Sequence, residues 1–117
     1  MGEGGRIGQP ATLFAASFAA DLPKEKADFM ANSQVHWGTA ALEGAVTQAA
    51  WRSKPSWYLV ATDDEMIPSE AQGAMSRRAG GAVTEVRGSH AVYVSQPEAV
   101  AAFIKKAANG VGAAAAE

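Results

Sequence analysis

Residues 57–61, Trp-Tyr-Leu-Val-Ala, form an unbroken apolar run bounded upstream by Pro55 and downstream by Thr62-Asp63-Asp64. So short a run could be helix. The proline before it and the turn-forming residues after it favour a strand buried on both faces inside a parallel sheet. The next forty-five residues agree with a strand. Ser69 with Gln72 three residues on fits a capping box, opening a helix through Met75 to about Ala79, with Gly80-Gly81 as its stop. Val83, Glu85 and the bounding Gly88 predict a second strand over about 82–87. Ser95 and Glu98 form another capping box for a last helix, in which Val100, Phe103, Ile104 and Ala107 repeat at helical spacing. Strand, helix, strand, helix over residues 55–108 is a βαβα unit, and the expected class is α/β with a right-handed crossover. Two strands alone make a poor sheet, so their burial implies neighbours that these residues do not supply.

The text before Pro55 is different. Residues 1–10 are glycine-rich and are expected to be a flexible lead. ATLFAASFAA then sets Leu13, Phe14 and Phe18 at helical spacing, and Asp21 is placed to cap a second helix over about 22–33 with Pro23 in its first turn. A third helix over about 37–50 would align Trp37, Ala40, Ala41 and Ala45, although Gly38 and Gly44 weaken it. Three helices over residues 11–50 are thus expected before any strand. The tail over residues 110–117, at the end of NGVGAAAAE, is expected to be disordered.

Charge narrows the partners. With net charge −2 and basic residues scattered in small pairs (Lys24 and Lys26, Arg52 and Lys54, Arg77 and Arg78, Lys105 and Lys106), no face attracts a polyanion, and nucleic acid is not an expected partner. The chain has no cysteine, which removes disulfides and thiolate chemistry. No apolar run has the length of a membrane span and no signal segment opens the chain, so a soluble, cytoplasmic protein is expected.

Ligands of open α/β sheets sit beyond the carboxyl ends of the strands. Asp63 and Asp64 follow the end of the first strand, and Gly88-Ser89-His90 follows the end of the second. Strands of a sheet run about 4.8 Å apart, so loops leaving one edge can bring a carboxylate and an imidazole within hydrogen-bonding reach. A metal held by His36, His90 and the two aspartates would need a coincidence of geometry, and neither metal nor cofactor is expected. Ser89 adjoins His90, but neighbours on an extended chain point apart, which makes it a poor nucleophile for that base. The tryptophans and phenylalanines are expected in the core, with one aromatic of the early helices available to a pocket.

The stretches LVATDDEMIP and VTEVRGSHAVYVSQPEAVAAFI resemble the last two strands and helices of an α/β-hydrolase, in particular its small esterase-like members. The resemblance covers about residues 11–108 and implies a partial α/β-hydrolase fold, with the helices before Pro55 as a lid-like segment. It implies that Asp64, four residues before Pro68, is the acid of a Ser-His-Asp triad, and that His90 of the Gly-Ser-His turn is its base. Asp63 would accept backbone hydrogen bonds or face water. The family's G-x-S-x-G elbow and its glycine-rich oxyanion loop do not occur here. The expectation is therefore the C-terminal part of an enzyme acting on a small ester or amide, with the nucleophile half missing. The alternative is an inactive, truncated binding module that self-associates or pairs with the missing half.

Overall fold

Trp57–Ala61 and Ala82–Val86 pair in parallel, from Trp57 opposite Ala82 to Ala61 opposite Val86, in the computed structural model, which describes residues 6–7 and 10–115. The elements in chain order are β1 (Arg6–Ile7), α1 (Ala11–Ser17), α2 (Lys24–Asn32), β2 (Trp37–Gly38), α3 (Thr39–Glu43), a single 3₁₀ turn (Ala50–Arg52), β3 (Trp57–Ala61), α4 (Ser69–Ala79), β4 (Ala82–Val86), α5 (Val92–Ser95) and α6 (Pro97–Ala115). This is a small α/β fold with two parallel strands, and helices lie on either side of them in sequence.

The parallel pair has one satisfied edge. Thr62 N–H reaches the Val86 carbonyl at 3.0 Å and Ala82 N–H reaches that of Ser56 at 3.0 Å, so the even positions of β3 face β4. By alternation the backbone groups of Trp57, Leu59 and Ala61 point to the other edge. At Ala61 a side chain fills the gap: the amide of Gln72 accepts from Ala61 N–H at 3.1 Å and faces its carbonyl at 3.4 Å. Val60 and Ala61 are buried, whereas Trp57, Tyr58 and Leu59 are half-buried, so the expected two-sided burial holds only at the carboxyl end of β3. No third strand joins this sheet among the described residues.

The α4 stop follows from glycine chemistry. Gly80 sits at φ 66°, Gly80 N–H reaches the Arg77 carbonyl at 3.1 Å and Gly81 N–H that of Ser76 at 3.2 Å, which satisfies the last carbonyls of the helix. Its start departs from expectation. Pro68, whose side chain cannot accept a hydrogen bond, occupies the N-cap, and the Gln72 amide is engaged by Ala61 and Asp64. The other two expected caps are also absent. Pro23 and not Asp21 precedes α2, and the Ser95 hydroxyl donates to Asp21 and not to α6.

Three further expectations are corrected. The third helix shrinks to Thr39–Glu43, because Gly44 is extended at ψ 133° and the Val46-Thr47 text beyond it is β-branched. Arg6–Ile7 pairs antiparallel with Trp37–Gly38, so a short strand stands within the lead and another among the early helices; residues 1–5 and 8–9 lie outside the described residues. The tail is helical to Ala115, since alanine is the best helix former, and residues 116–117 lie outside the described residues. Gly110 seats that last helix on the strand: a Cβ there would stand 2.5 Å from Cζ2 of Trp57.

The buried core lies away from the sheet. Phe14, Ala19, Ala27, Ala31 and Ala91 cluster where α1 and α2 meet the turn before α5, with Phe18, Leu22 and Met30 against them. The small alanines let the helices approach closely. Trp37, Trp51 and Phe29, expected inside, are exposed. The Cα radius of gyration is 16.7 Å, against about 13 Å for a compact chain of this length, so much apolar surface has nothing to pack on.

Candidate active site

The end of β3 and the turn after β4 bring Asp64 and His90 together. His90 Nδ1 lies 2.8 Å from Asp64 Oδ2. Asp64 is 8% exposed, and its carboxylate has donors on both oxygens: Met66 N–H at 2.8 Å and Ile67 N–H at 3.1 Å on Oδ1, with Gln72 Nε2 at 2.9 Å beside the imidazole on Oδ2. Four donors match the acceptor capacity of an ionised carboxylate. The side chain therefore has one orientation, and the imidazole inherits it.

Gln72 is the residue that sequence reasoning missed. Only 4% exposed, it ties the carboxylate to the edge of β3 and donates to the Ile67 carbonyl at 2.7 Å. Its spacing from Ser69 suggested a cap, and nothing local in sequence signals the tertiary use. Asp63 is exposed and pairs with Arg87 Nε at 3.2 Å instead of accepting backbone bonds. A surface ion pair of this kind contributes little to stability. His36 is exposed and lies just before β2. Among the described residues no group of three or more His, Cys, Asp or Glu side chains could hold a metal ion.

On its other flank His90 meets the helices that precede the sheet. The Phe18 ring lies 4.6 Å from the imidazole, tilted by 59°, and stacks on Phe14 at 4.7 Å. The Phe18 carbonyl accepts from Ala91 N–H at 2.9 Å. Asp21 accepts from the Ser89 N–H at 3.1 Å, the Ser89 hydroxyl, and the Ser95 hydroxyl at 2.8 Å. Burial raises the Asp21 carboxyl, but the bonds from the Ser89 hydroxyl and N–H and from Ser95 outweigh it and hold the group below its ordinary value. Ser89 is thus buried and committed to Asp21.

The imidazole side chain keeps 30% of its surface exposed, and a concavity of about 300 Å³ opens beside it, lined by Tyr58, Leu59, Asp64, Ile67, His90 and Val92 among others. With Nδ1 on the carboxylate, no hydrogen bond engages Nε2 among the described residues. An imidazole held this way can take a proton at Nε2 and return it, while the carboxylate fixes the tautomer and stabilises the imidazolium. No serine hydroxyl bonds Nε2 among the described residues: those of Ser89 and Ser95 donate to Asp21, that of Ser76 donates to the Gly73 carbonyl, and that of Ser56 is buried without a partner.

Comparison with known proteins identifies the family. The pattern of the Alpha/beta hydrolase family matches residues 2–103. The protein named alpha/beta hydrolase nvfD, from Aspergillus novofumigatus (strain IBT 16806), is 39% identical over 64 residues, which cover 53% of this chain and 26% of the relative. The matched part thus spans about a quarter of that relative's length. No solved structure matches the chain. No helix among the described residues is long and apolar enough to cross a membrane.

Proposed function

This chain belongs to the alpha/beta hydrolase family, and from that premise we propose that Asp64 and His90 are the acid and the general base of a Ser-His-Asp hydrolase acting on an ester or amide carbonyl. The observation that carries the reading is the 2.8 Å contact between His90 Nδ1 and Asp64 Oδ2, in an imidazole that lines the open concavity and whose Nε2 has no hydrogen bond among the described residues. In this reading a serine hydroxyl from a G-x-S-x-G elbow outside these 117 residues gives its proton to Nε2 as it attacks the carbonyl carbon. The imidazolium is stabilised by Asp64 and then returns the proton to the departing alcohol or amine. The helical segment over residues 11–50 acts as the lid, and the absence of cysteine suits a cytoplasmic setting.

Hydrolysis of a nitrophenyl ester tests it. The 117-residue chain alone is expected to match its His90→Ala variant, because it carries no elbow serine. Joined to an elbow-bearing segment of the same family, it is expected to turn over ester, with Asp64→Asn lowering kcat by about 10⁴-fold. Turnover that survives His90→Ala contradicts the reading.

A second reading has its own observation. Phe29, Val35, Leu42 and Val46 are 59–87% exposed, and the β3 edge at Trp57 and Leu59 has no partner strand among the described residues. Such surfaces favour association. In this reading the chain is a binding module that pairs with itself or with a hydrolase N-terminal half. Analytical ultracentrifugation is expected to give a dimer or larger species, and a monomer across the micromolar range contradicts it.

A further inference from the structure

We propose that Asp21, at the junction of α1 and α2, is a positioning residue for His90, and that it fixes the turn at residues 88–91 so that the imidazole stays on Asp64. The inference rests on the reading of Asp64 and His90 as an acid–base pair and adds to it a second carboxylate, one that does not touch the ring.

The turn carrying His90 is tied locally by Val92 N–H on the Ser89 carbonyl at 3.1 Å and by Asp63 N–H on the Gly88 carbonyl at 3.1 Å. It follows β4 directly, and α5 is only four residues long. A further anchorage comes from 68 residues upstream. Both oxygens of Asp21 are used: Oδ1 by the Ser89 hydroxyl, Oδ2 by the Ser89 N–H and the Ser95 hydroxyl. These bonds grip the residue immediately before His90 and the last residue of α5. Charge-assisted bonds of this kind are shorter and stronger than neutral ones. The Ser89 hydroxyl also accepts from Ala91 N–H at 3.1 Å, so the same group clamps the residue immediately after His90.

Asp21 is exposed on its outer side, and on its inner side it meets the turn closely. A Cβ on Gly88 would stand 3.2 Å from Asp21 Oδ2, 3.0 Å from Val92 Cγ2 and 2.9 Å from Gln96 Nε2, so the glycine of the Gly-Ser-His turn makes room for the carboxylate. Ala91 is 0% exposed and sits in the core with Phe14, Ala19, Ala27 and Ala31. The Phe18 carbonyl on Ala91 and the Phe18 ring against the imidazole join the same helical segment to the histidine turn. A shift of α1 against α2 would pass through Asp21 to the ring.

The test reads the Nδ1 proton of His90 by NMR, through its rate of exchange with water, in the 117-residue chain and its variants, with far-UV circular dichroism as the check on folding. The wild-type proton is expected to be protected. Asp21→Ala is expected to speed its exchange at least tenfold while helix content is kept, and Asp21→Asn, which retains hydrogen bonding without the charge, to speed it less. Ser95→Ala, which removes one bond from the far side of the clamp, is expected to lower stability and leave the proton's exchange within about twofold of wild type. A folded Asp21→Ala chain with wild-type protection overturns the inference and leaves the Asp64–His90 reading standing. If Asp21→Ala does not fold, Asp21→Asn decides: faster exchange supports the inference and wild-type exchange overturns it. An unprotected Nδ1 proton in the wild type overturns the pair itself.

Discussion

Asp64 and not its neighbour Asp63 faces His90: Oδ2 of Asp64 lies 2.8 Å from Nδ1, while Asp63 turns outward to Arg87. Adjacent residues leaving a strand point to opposite sides. The backbone at the end of β3 thus selects one of two chemically identical acids, and the N–H groups of Met66 and Ile67 fix the one selected.

Gln72 sets the cost of disturbing that selection. Its Nε2 lies 2.9 Å from Asp64 Oδ2, and both side chains are buried. Gln72→Glu places a second carboxylate against the first and is expected to destabilise by about 3 kcal/mol or more, since an uncompensated buried charge is expensive. Gln72→Met loses hydrogen bonds only and is expected to cost about 1–3 kcal/mol. Urea denaturation midpoints of the two variants check the order, and equal midpoints contradict it.

Asp21 gives a pH dependence with a definite sign. Its folded-state pKa is depressed, so its contribution to stability is present above the unfolded value of about 3.9 and disappears as pH falls through the lower folded value. The stability difference between wild type and Asp21→Asn is therefore expected to be constant from pH 7 to about pH 5 and to shrink below about pH 4. Thermal melts across that range measure it. A difference that grows on acidification contradicts the assignment.

Gly110 offers a check on how α6 meets the strand. Gly110→Ala would set a methyl group 2.5 Å from the Trp57 ring, so the ring or the helix must move. A loss of about 1–3 kcal/mol is expected, with a displaced indole N–H resonance for Trp57. An unshifted resonance and wild-type stability would mean that the helix end does not seat on Trp57.

Much of this arrangement was legible in the text because it is local. The apolar run of β3, the Gly80 stop and the spacing of Val100, Phe103 and Ile104 each report on a few adjacent residues. The side-chain uses were not legible, for a common reason. Local spacing marks Asp21, Gln72 and Ser95 as members of helix caps, and each is instead spent on a partner brought near by the fold. Asp21 bonds Ser89 across 68 residues, and Ser95 across 74. Capping is a local preference worth about 1 kcal/mol, and a buried or charge-assisted tertiary bond outweighs it. The exposure of Trp37 and Trp51 has a similar origin: hydropathy marks them as apolar, but burial depends on what other elements reach them.

The most direct test of the pairing is the tautomer of His90, read from the two ring ¹⁵N shifts in a long-range ¹H–¹⁵N NMR spectrum at a pH where the ring is neutral. The account predicts the proton on Nδ1 in the wild type and a shift of population toward Nε2 in Asp64→Asn. A wild-type ring protonated mainly at Nε2, or one indifferent to Asp64→Asn, would contradict it.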